Sequence, residues 1–336
     1  MDDQTNHIPL TSSELANLWT QYMNDSMAYH FISHALKNCK DKEVYEILEY
    51  AQSLSHTHLT KLKDLFQKDN FPVPHGFTKD DVNLNAPPLF SDIFMLVYMQ
   101  IMSLHGLNGY ALSLGTSVRA DQRDYYIQCN KETMELYNRT VNVMLKKGLI
   151  SRTPPINPPK EIDFVKKQTF LSGWIGERRP LNAIEISGIH YNMQKSVVKV
   201  VLEIAFSQVA KSTDIRDYFI RGAAVCEKHN EILGSILNEE HLSPPKIWTS
   251  EVTNSSESPY SDKLMLFHIV ALISVAMGYY GAAMSVAQRR DLSLQYMRLI
   301  AEIGLYAEDG ANLLIKYEWL EQPPTVDDRK AIAKEK

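Results

Sequence analysis

The sequence predicts an all-α protein built from two tandem four-helix bundles. Two observations carry this prediction: the second half of the chain repeats the first, and each half holds four long segments with apolar residues at helical spacing. Strands are hard to place anywhere in the chain. The 336 residues are 44% hydrophobic and 22% charged, which suits two ordinary globular domains.

The duplication is visible at corresponding positions along both halves. The segment PLTSSELANL reappears as PLNAIEISGI, which places Glu14 opposite Glu185 at an offset of 171 residues, and His58 falls opposite His229 at the same offset. Later pairs align at an offset of 170, and they are Ser91 with Ser261, Arg119 with Arg289 and Asp121 with Asp291. The whole unit is therefore repeated, with one residue lost between the copies.

Within the first unit, each helix has its own signal. The first opens at the capping-box pattern Thr11-x-x-Glu14, and the second covers residues 42–68 and ends at the proline-rich stretch FPVPHGF. The third begins at Ser91 and the fourth near Asp124, after a short turn that makes them antiparallel neighbours. The connection between the second and third helices is much longer. One long crossover between helix pairs is the topology of ferritin-like bundles, so we predict that fold in both halves.

The predicted boundaries follow from the repeat and from the prolines between its copies. The segment SRTPPINPPK should form a stiff, extended spacer, and the large side chains of Trp174 and Ile175 after it should pack between the bundles. We predict a first bundle over 8–150, a proline-rich linker with a short helix over 151–179, a second bundle over 180–324 and a polar tail over 325–336.

Composition excludes several classes of function. Acidic residues outnumber basic ones by 40 to 35 and no basic run is present, so a nucleic-acid partner is not expected. The start MDDQTNHIPL has no signal-peptide pattern, so we expect a cytoplasmic protein. Cys39, Cys129 and Cys226 are scattered, which indicates reduced thiols. No P-loop, GxGxxG, GxSxG or HExxH motif is present.

One segment, from Leu264 to Met284, has the length and apolar character of a membrane span. Its repeat partner in the first half contains Gln100, His105 and Asn108. Because duplicated helices should keep one environment, we predict a buried central helix in both halves and no membrane span.

Two polar pairs are predicted to face the cores. His58 and His229 lie on the core-facing stripe of the second helix in each unit, and Glu132 and Glu302 lie on that of the fourth. The crossover topology places each histidine and glutamate at similar depth, so they should touch. One interpretation is a structural hydrogen bond, because buried carboxylates require partners.

The alternative interpretation is a metal site. His58 with Cys129 and Glu132, and His229 with Cys226 and Glu302, each offer nitrogen, sulfur and oxygen donors. We expect no cofactor in the first interpretation and a transition metal, zinc or iron, in the second. A di-iron site of the ferritin type is not predicted. Its Glu-x-x-His pattern is missing, because Ser55 and Cys226 stand three residues before the histidines, and the first helix offers only Tyr22 and Met193 at that depth. His30 and His34, present in one copy only, are expected on the surface.

Several segments together resemble a known family. They are YMNDSM, PLNAIEI, FSQVAKS, SDKLMLFHI and YAEDGANLLIKYEWLEQPP, in this order along the chain. They are similar to an uncharacterised family of spore-forming bacteria, domain of unknown function 3231. The resemblance implies a tandem ferritin-like fold without an assigned activity or catalytic residues, and a more distant likeness to the spore coat protein F group.

Two functions are therefore expected as alternatives. The first is a non-enzymatic structural or interaction protein, spore-associated and bound to spore or coat proteins. The second is a metal-binding or oxidase-like bundle with a reduced His/Glu site. Either could be a monomer or a homodimer, because a duplicated chain can bury within itself the faces that a single unit would bury by dimerising.

Overall fold

A computed structural model describes residues 8–173 and 178–334, and it shows two sets of four long helices. The helices of the first half are α1 (Ser12–Asn38), α2 (Lys42–Lys68), α3 (Asp92–Gly115) and α4 (Ala120–Lys146). Those of the second half are α5 (Ala183–Val209), α6 (Thr213–Glu239), α7 (Asp262–Val286) and α8 (Arg290–Lys316). A short helix, α9 (Arg329–Lys334), lies in the predicted polar tail. The described residues contain no β-strand, which confirms the all-α tandem prediction.

Helix boundaries follow the sequence signals closely, with one exception. The bounds of α2 match the prediction, and α1 begins at the Thr11–Glu14 capping box. However, α4 begins at Ala120, four residues before the predicted start near Asp124. The physical reason is the Glu14 carboxylate, which accepts hydrogen bonds from the backbone N–H groups of Val118 and Arg119 at 2.9 and 2.8 Å. A distant side chain thus fixes the backbone immediately before the first helical residue.

The same carboxylate contact recurs in the second half. Glu185 accepts hydrogen bonds from the backbone N–H groups of Gln288 and Arg289, at 3.2 and 2.9 Å. Both glutamates are buried, and each also closes the capping box of its own helix. A buried acid therefore ties the first helix of each bundle to the last one.

The two halves pack together with two-fold symmetry, so that each contact has an equivalent in which the roles of the halves are reversed. The long connections between the second and third helices form two isolated antiparallel bridges, Val82 with Tyr260 and Phe90 with Val252. The 170-residue offset maps each bridge onto the other. Tyr98 and His268 are equivalent positions of the two halves, and the Tyr98 hydroxyl lies 3.1 Å from His268 Nε2. The arrangement is that of a two-fold dimer interface within one chain.

Phe31 lies at the centre of this interface. Its ring stacks on Tyr260 at a centroid distance of 4.7 Å and contacts Tyr98 and His268 at 4.9 Å each. The largest apolar cluster accordingly contains residues of both halves. The hydrophobic core is therefore continuous across the linker that separates the repeats in sequence.

In the part of the chain that the structure describes, α7 is the one helix long and apolar enough to cross a membrane. Length and composition alone are a weak indication, because the core helix of a globular bundle satisfies the same criteria. His268 in this helix is buried and bonded to Tyr98 from the other half. These contacts agree with the predicted central helix. The predicted packing of Trp174 and Ile175 lies outside the described residues.

Replacing Glu14 by glutamine should lower the free energy of unfolding by roughly 2–3 kcal/mol at pH 7, because buried donors lose a charged acceptor. Burial alone would raise the pKa of Glu14, but backbone hydrogen bonds lower this pKa below its ordinary value of 4.5. This contribution is present above pH 4.5 and is lost as pH falls through the folded-state pKa. Urea denaturation should therefore show the two proteins converging in acid.

The matched control for this experiment is Glu46→Gln, at an exposed glutamate that pairs only loosely with Lys42. It should change the free energy of unfolding by less than about 0.5 kcal/mol. Equal effects of the two substitutions would contradict the structural role of Glu14.

Candidate functional site

The predicted contact between His58 and Glu132 is present in the first half and belongs to a larger cluster. His58 Nε2 lies 2.9 Å from a Glu132 carboxylate oxygen, and His58 Nδ1 lies 3.2 Å from Asp25 Oδ2. The imidazole is only 3% exposed. Cys129, fully buried one turn before Glu132 on α4, completes the cluster. A histidine between two carboxylates is the central feature of this site.

Neighbouring polar side chains fix the two carboxylates. Asp25 accepts hydrogen bonds from Ser55 Oγ at 3.0 Å and from Gln21 Nε2 at 3.1 Å. Glu132 accepts one from Gln128 Nε2 at 2.8 Å. Residues from α1, α2 and α4 thus converge, and the depth of each is set by its helical register. Because buried polar groups need partners, this second layer holds the first in one geometry.

The charges around His58 determine its protonation. Burial alone would lower the pKa of the imidazole, but the Asp25 charge and hydrogen bonds to its neighbours raise it well above the usual value. Burial would raise the pKa of Glu132, and hydrogen bonds from His58 and Gln128 lower it instead. With no cation bound, an imidazolium between two carboxylates is therefore the stable state at neutral pH.

The cluster also meets the chemical requirements of a metal site. His58, Cys129 and Glu132 offer one nitrogen, one sulfur and one oxygen donor, all within 4.8 Å of one another. Donors around a tetrahedral zinc ion lie roughly 3.3–3.8 Å apart, so these would close in by about an ångström. Metal-binding histidines commonly donate their second ring N–H to a carboxylate, and Asp25 beside Nδ1 of His58 is placed to accept it. The donor set therefore suits zinc or iron.

The second half repeats the histidine–glutamate contact without the rest of the cluster. His229 Nε2 lies 3.2 Å from a Glu302 carboxylate oxygen, and Nδ1 lies 3.3 Å from the Tyr280 hydroxyl. Ser196 stands where Asp25 is in the first half, and Leu299 stands where Cys129 is. Among the described residues, the three-donor group forms in the first half alone.

The electrostatic state of the second pair is also different. Lys228 and Arg298 each donate to Glu302 at 3.0 Å. Burial opposes ionisation, but these bonds and the one from His229 lower the pKa of Glu302 to about 2. Burial lowers the pKa of His229 to about 4, against the pull of Glu302. At neutral pH this histidine is neutral and the glutamate is paired with cations.

Asp25 was missed by the sequence interpretation, which placed Tyr22 at that depth on the first helix. The signal was present, because Asp25 follows Leu18 and Tyr22 by seven and three residues and continues their stripe.

The expectation of a surface position is wrong for His34. Its ring is buried, with Nε2 3.0 Å from the carbonyl oxygen of Ala86, because the connection from α2 to α3 covers this side of α1.

Replacing His58 or His229 by alanine should reveal the different environments of the two histidines through different losses of stability. His58→Ala leaves two carboxylates facing each other without a cation, so it should lower the free energy of unfolding by roughly 3–5 kcal/mol. His229→Ala should cost less, about 1–3 kcal/mol, because Glu302 keeps Lys228 and Arg298 as partners. Urea denaturation at pH 7 measures both variants. A larger loss for His229→Ala would contradict the assigned charges.

Comparisons with known proteins place the chain in a family. The family model described as "Protein of unknown function (DUF3231)" matches residues 2–162 and again residues 169–332. A solved structure described as a "putative spore coat protein" from Bacillus halodurans C-125 is 16% identical. The match covers 45% of this chain and 98% of that one, with a TM-score of 0.41. None of the curated proteins matches. The chain therefore belongs to the DUF3231 family and carries two copies of its unit.

Proposed function

We propose that the first half binds one transition-metal ion, zinc or iron, through His58, Cys129 and Glu132. The observation that carries this proposal is the meeting of three different donor atoms at a buried point between α2 and α4. Asp25 would orient His58 by accepting the proton of Nδ1. Three protein ligands leave one position of a tetrahedral ion for solvent or a small molecule.

The proposed site differs from the di-iron centres of ferritin-like bundles. Those centres take a carboxylate from each of four helices, together with two histidines. Here one histidine and one glutamate are joined by a thiol, and the second half lacks the thiol at the matching position, Leu299. A single ion in the first half alone is the arrangement that these residues support.

Metal uptake has to displace protons from the cluster. His58 Nε2 and the Cys129 thiol must both be deprotonated before they act as ligands. Occupancy should therefore fall in acid, and loading should release protons.

Elemental analysis of protein purified without a histidine tag tests the proposal. We expect about one zinc or iron per chain, and Cys129→Ala should remove it, because two remaining donors hold such an ion weakly. Cys226→Ala is the matched control, since it removes a buried thiol from the other half. It should leave the metal content unchanged. No stoichiometric metal in the parent protein, or equal losses in both variants, would contradict the site.

A second readout guards against a variant that fails to fold. Protein loaded with cobalt(II) should show thiolate-to-metal charge-transfer absorption in the parent and in Cys226→Ala. The band should be absent from Cys129→Ala, while circular dichroism reports unchanged helix content.

We propose as the second candidate a non-enzymatic structural or interaction role without a metal. It is supported by hydrogen bonding at His58, where both ring nitrogens already have carboxylate partners. The cluster would then tie α1, α2 and α4 together by itself. The resemblance noted from the sequence suggests spore or coat proteins as partners and a cytoplasmic or spore-associated location.

This second candidate is tested by the location of a tagged copy in sporulating cells of the host. We expect the tagged protein to copurify with spores and its amount to rise during sporulation. A protein that is absent from spores, at levels unaffected by sporulation, excludes the spore role.

A further inference from the structure

Helix α5 carries three charged residues on one buried face. Lys195, Lys199 and Glu203 follow one another at four-residue spacing and are 7%, 5% and 0% exposed. The matching positions of the first half are not charged, and they hold Asn24, Ala28 and Ile32. These charges are therefore specific to the second half. Because buried charges are costly, each needs a partner or a function.

Two of the three charges lie close enough to interact, without a hydrogen-bonded ion pair between them. Lys199 and Glu203 attract each other, and both lie close to the thiol of Cys226. Lys195 has no such counter-charge. Among the described residues its Nζ has no hydrogen-bond partner, and it sits between the ring faces of Tyr191 and Tyr279, 2.8 and 3.0 Å from their centroids. In its ammonium form, Lys195 would therefore be the unbalanced charge of this face.

Both lysines line a cavity of about 30 Å³, bounded by α3, α5, α6, α7 and α8. A space of this size holds roughly two water molecules. No residue that lines the cavity is an aspartate or a glutamate. The other polar groups around it include His105, Asn192, Ser196 and the phenol of Tyr280, and the last three already have hydrogen-bond partners. The ring of His105 also leaves Nε2 buried without a hydrogen-bond partner in the described residues.

We propose that this cavity binds a small monovalent anion, of the size of chloride, formate or nitrate, between Lys195 and Lys199. A monoanion fits the charges of this face, because with Lys195 in its ammonium form two lysines face one glutamate and a single further negative charge balances them. Two buried nitrogens of the lining, Lys195 Nζ and His105 Nε2, have no hydrogen-bond partner among the described residues, and no carboxylate competes for the space. A metal cation at Cys226 and His229 is disfavoured here, since Lys199 lies in the same cavity.

Anion binding should be coupled to proton uptake. Burial lowers the pKa of Lys195 to about 5, so its amine is neutral at pH 7 when no anion lies beside it. An anion beside it stabilises the ammonium form, and the complex then takes up one proton. Binding should accordingly weaken as pH rises, by up to about tenfold per pH unit.

Other titratable groups around Lys195 do not reverse this direction. Burial lowers the pKa of His105 on α3 to about 3 and raises that of Cys226 on α6 to about 12, so neither titrates near neutrality. The remaining groups are His229 on α6, Tyr279 and Tyr280 on α7, and Lys199 with its partner Glu203 on α5. Burial raises the pKa of Glu203 to about 7, and its ionisation also opposes an anion as pH rises.

Titration calorimetry with sodium nitrate, formate and chloride tests the proposal. Ionic strength is held constant with gluconate, which is too large for the cavity. We expect saturable binding at pH 6, and an affinity for the anion at least tenfold weaker at pH 8. Repeating the titration in buffers of different ionisation enthalpy should report uptake of close to one proton per anion.

The decisive variant is Lys195→Asn, which installs the residue that the first half carries at the matching position. It should weaken anion binding at least tenfold at pH 6. Lys63→Met, at an exposed lysine of α2, is the control and should bind like the parent. Cys129→Ala should also retain anion binding, because the proposed metal site lies in the other half.

A variant that fails to fold is recognised by circular dichroism, and the parent protein alone still tests the proposal. Its melting temperature should rise with nitrate at pH 6 and rise less at pH 8. The proposal is overturned if the parent shows no saturable binding between pH 6 and 8, if binding takes up no proton, or if folded Lys195→Asn binds as tightly as the parent.

Discussion

The packing of one half of the chain against its own duplicate is the constraint on which the rest of the structure depends. Phe31 of the first half stacks on Tyr260 of the second, and Tyr98 bonds to its repeat equivalent His268. The largest apolar cluster spans both sets of four helices, and Phe31 of α1 contacts His268 of α7 within it. The architecture is therefore one folded body with two polar interiors.

Those interiors have diverged in charge. In the first, Asp25 and Glu132 surround His58 and favour its protonated form when no cation is bound. In the second, burial keeps His229 neutral while lysines dominate its surroundings. Carboxylates surround the histidine of the first interior, whereas two lysines line the cavity beside the histidine of the second. The same histidine–glutamate contact therefore occurs with a protonated and with a neutral histidine. The residues around the pair, and not the pair itself, determine the protonation of the imidazole.

Much of this fold could be predicted from local signals. The bounds of residues 42–68 and the contact of His58 with Glu132 follow from helical periodicity combined with one topological argument. The partner Asp25 did not follow, because its depth depends on how far one helix slides along another. Lys199 and Glu203 were hidden for a different reason: at four-residue spacing they resemble an ordinary solvated pair on a helix surface.

The bridges between the two long connections have a consequence for how this chain assembles. In a relative with a single unit, the same pairings, such as Val82 with Tyr260, would require a second molecule and would depend on its concentration. Here the linker supplies the second copy at a fixed, high effective concentration. In a homodimer, one substitution changes both sides of the interface. In this chain, a substitution changes only the half that carries it. Covalent linkage thus released the two copies from the symmetry that a homodimer imposes.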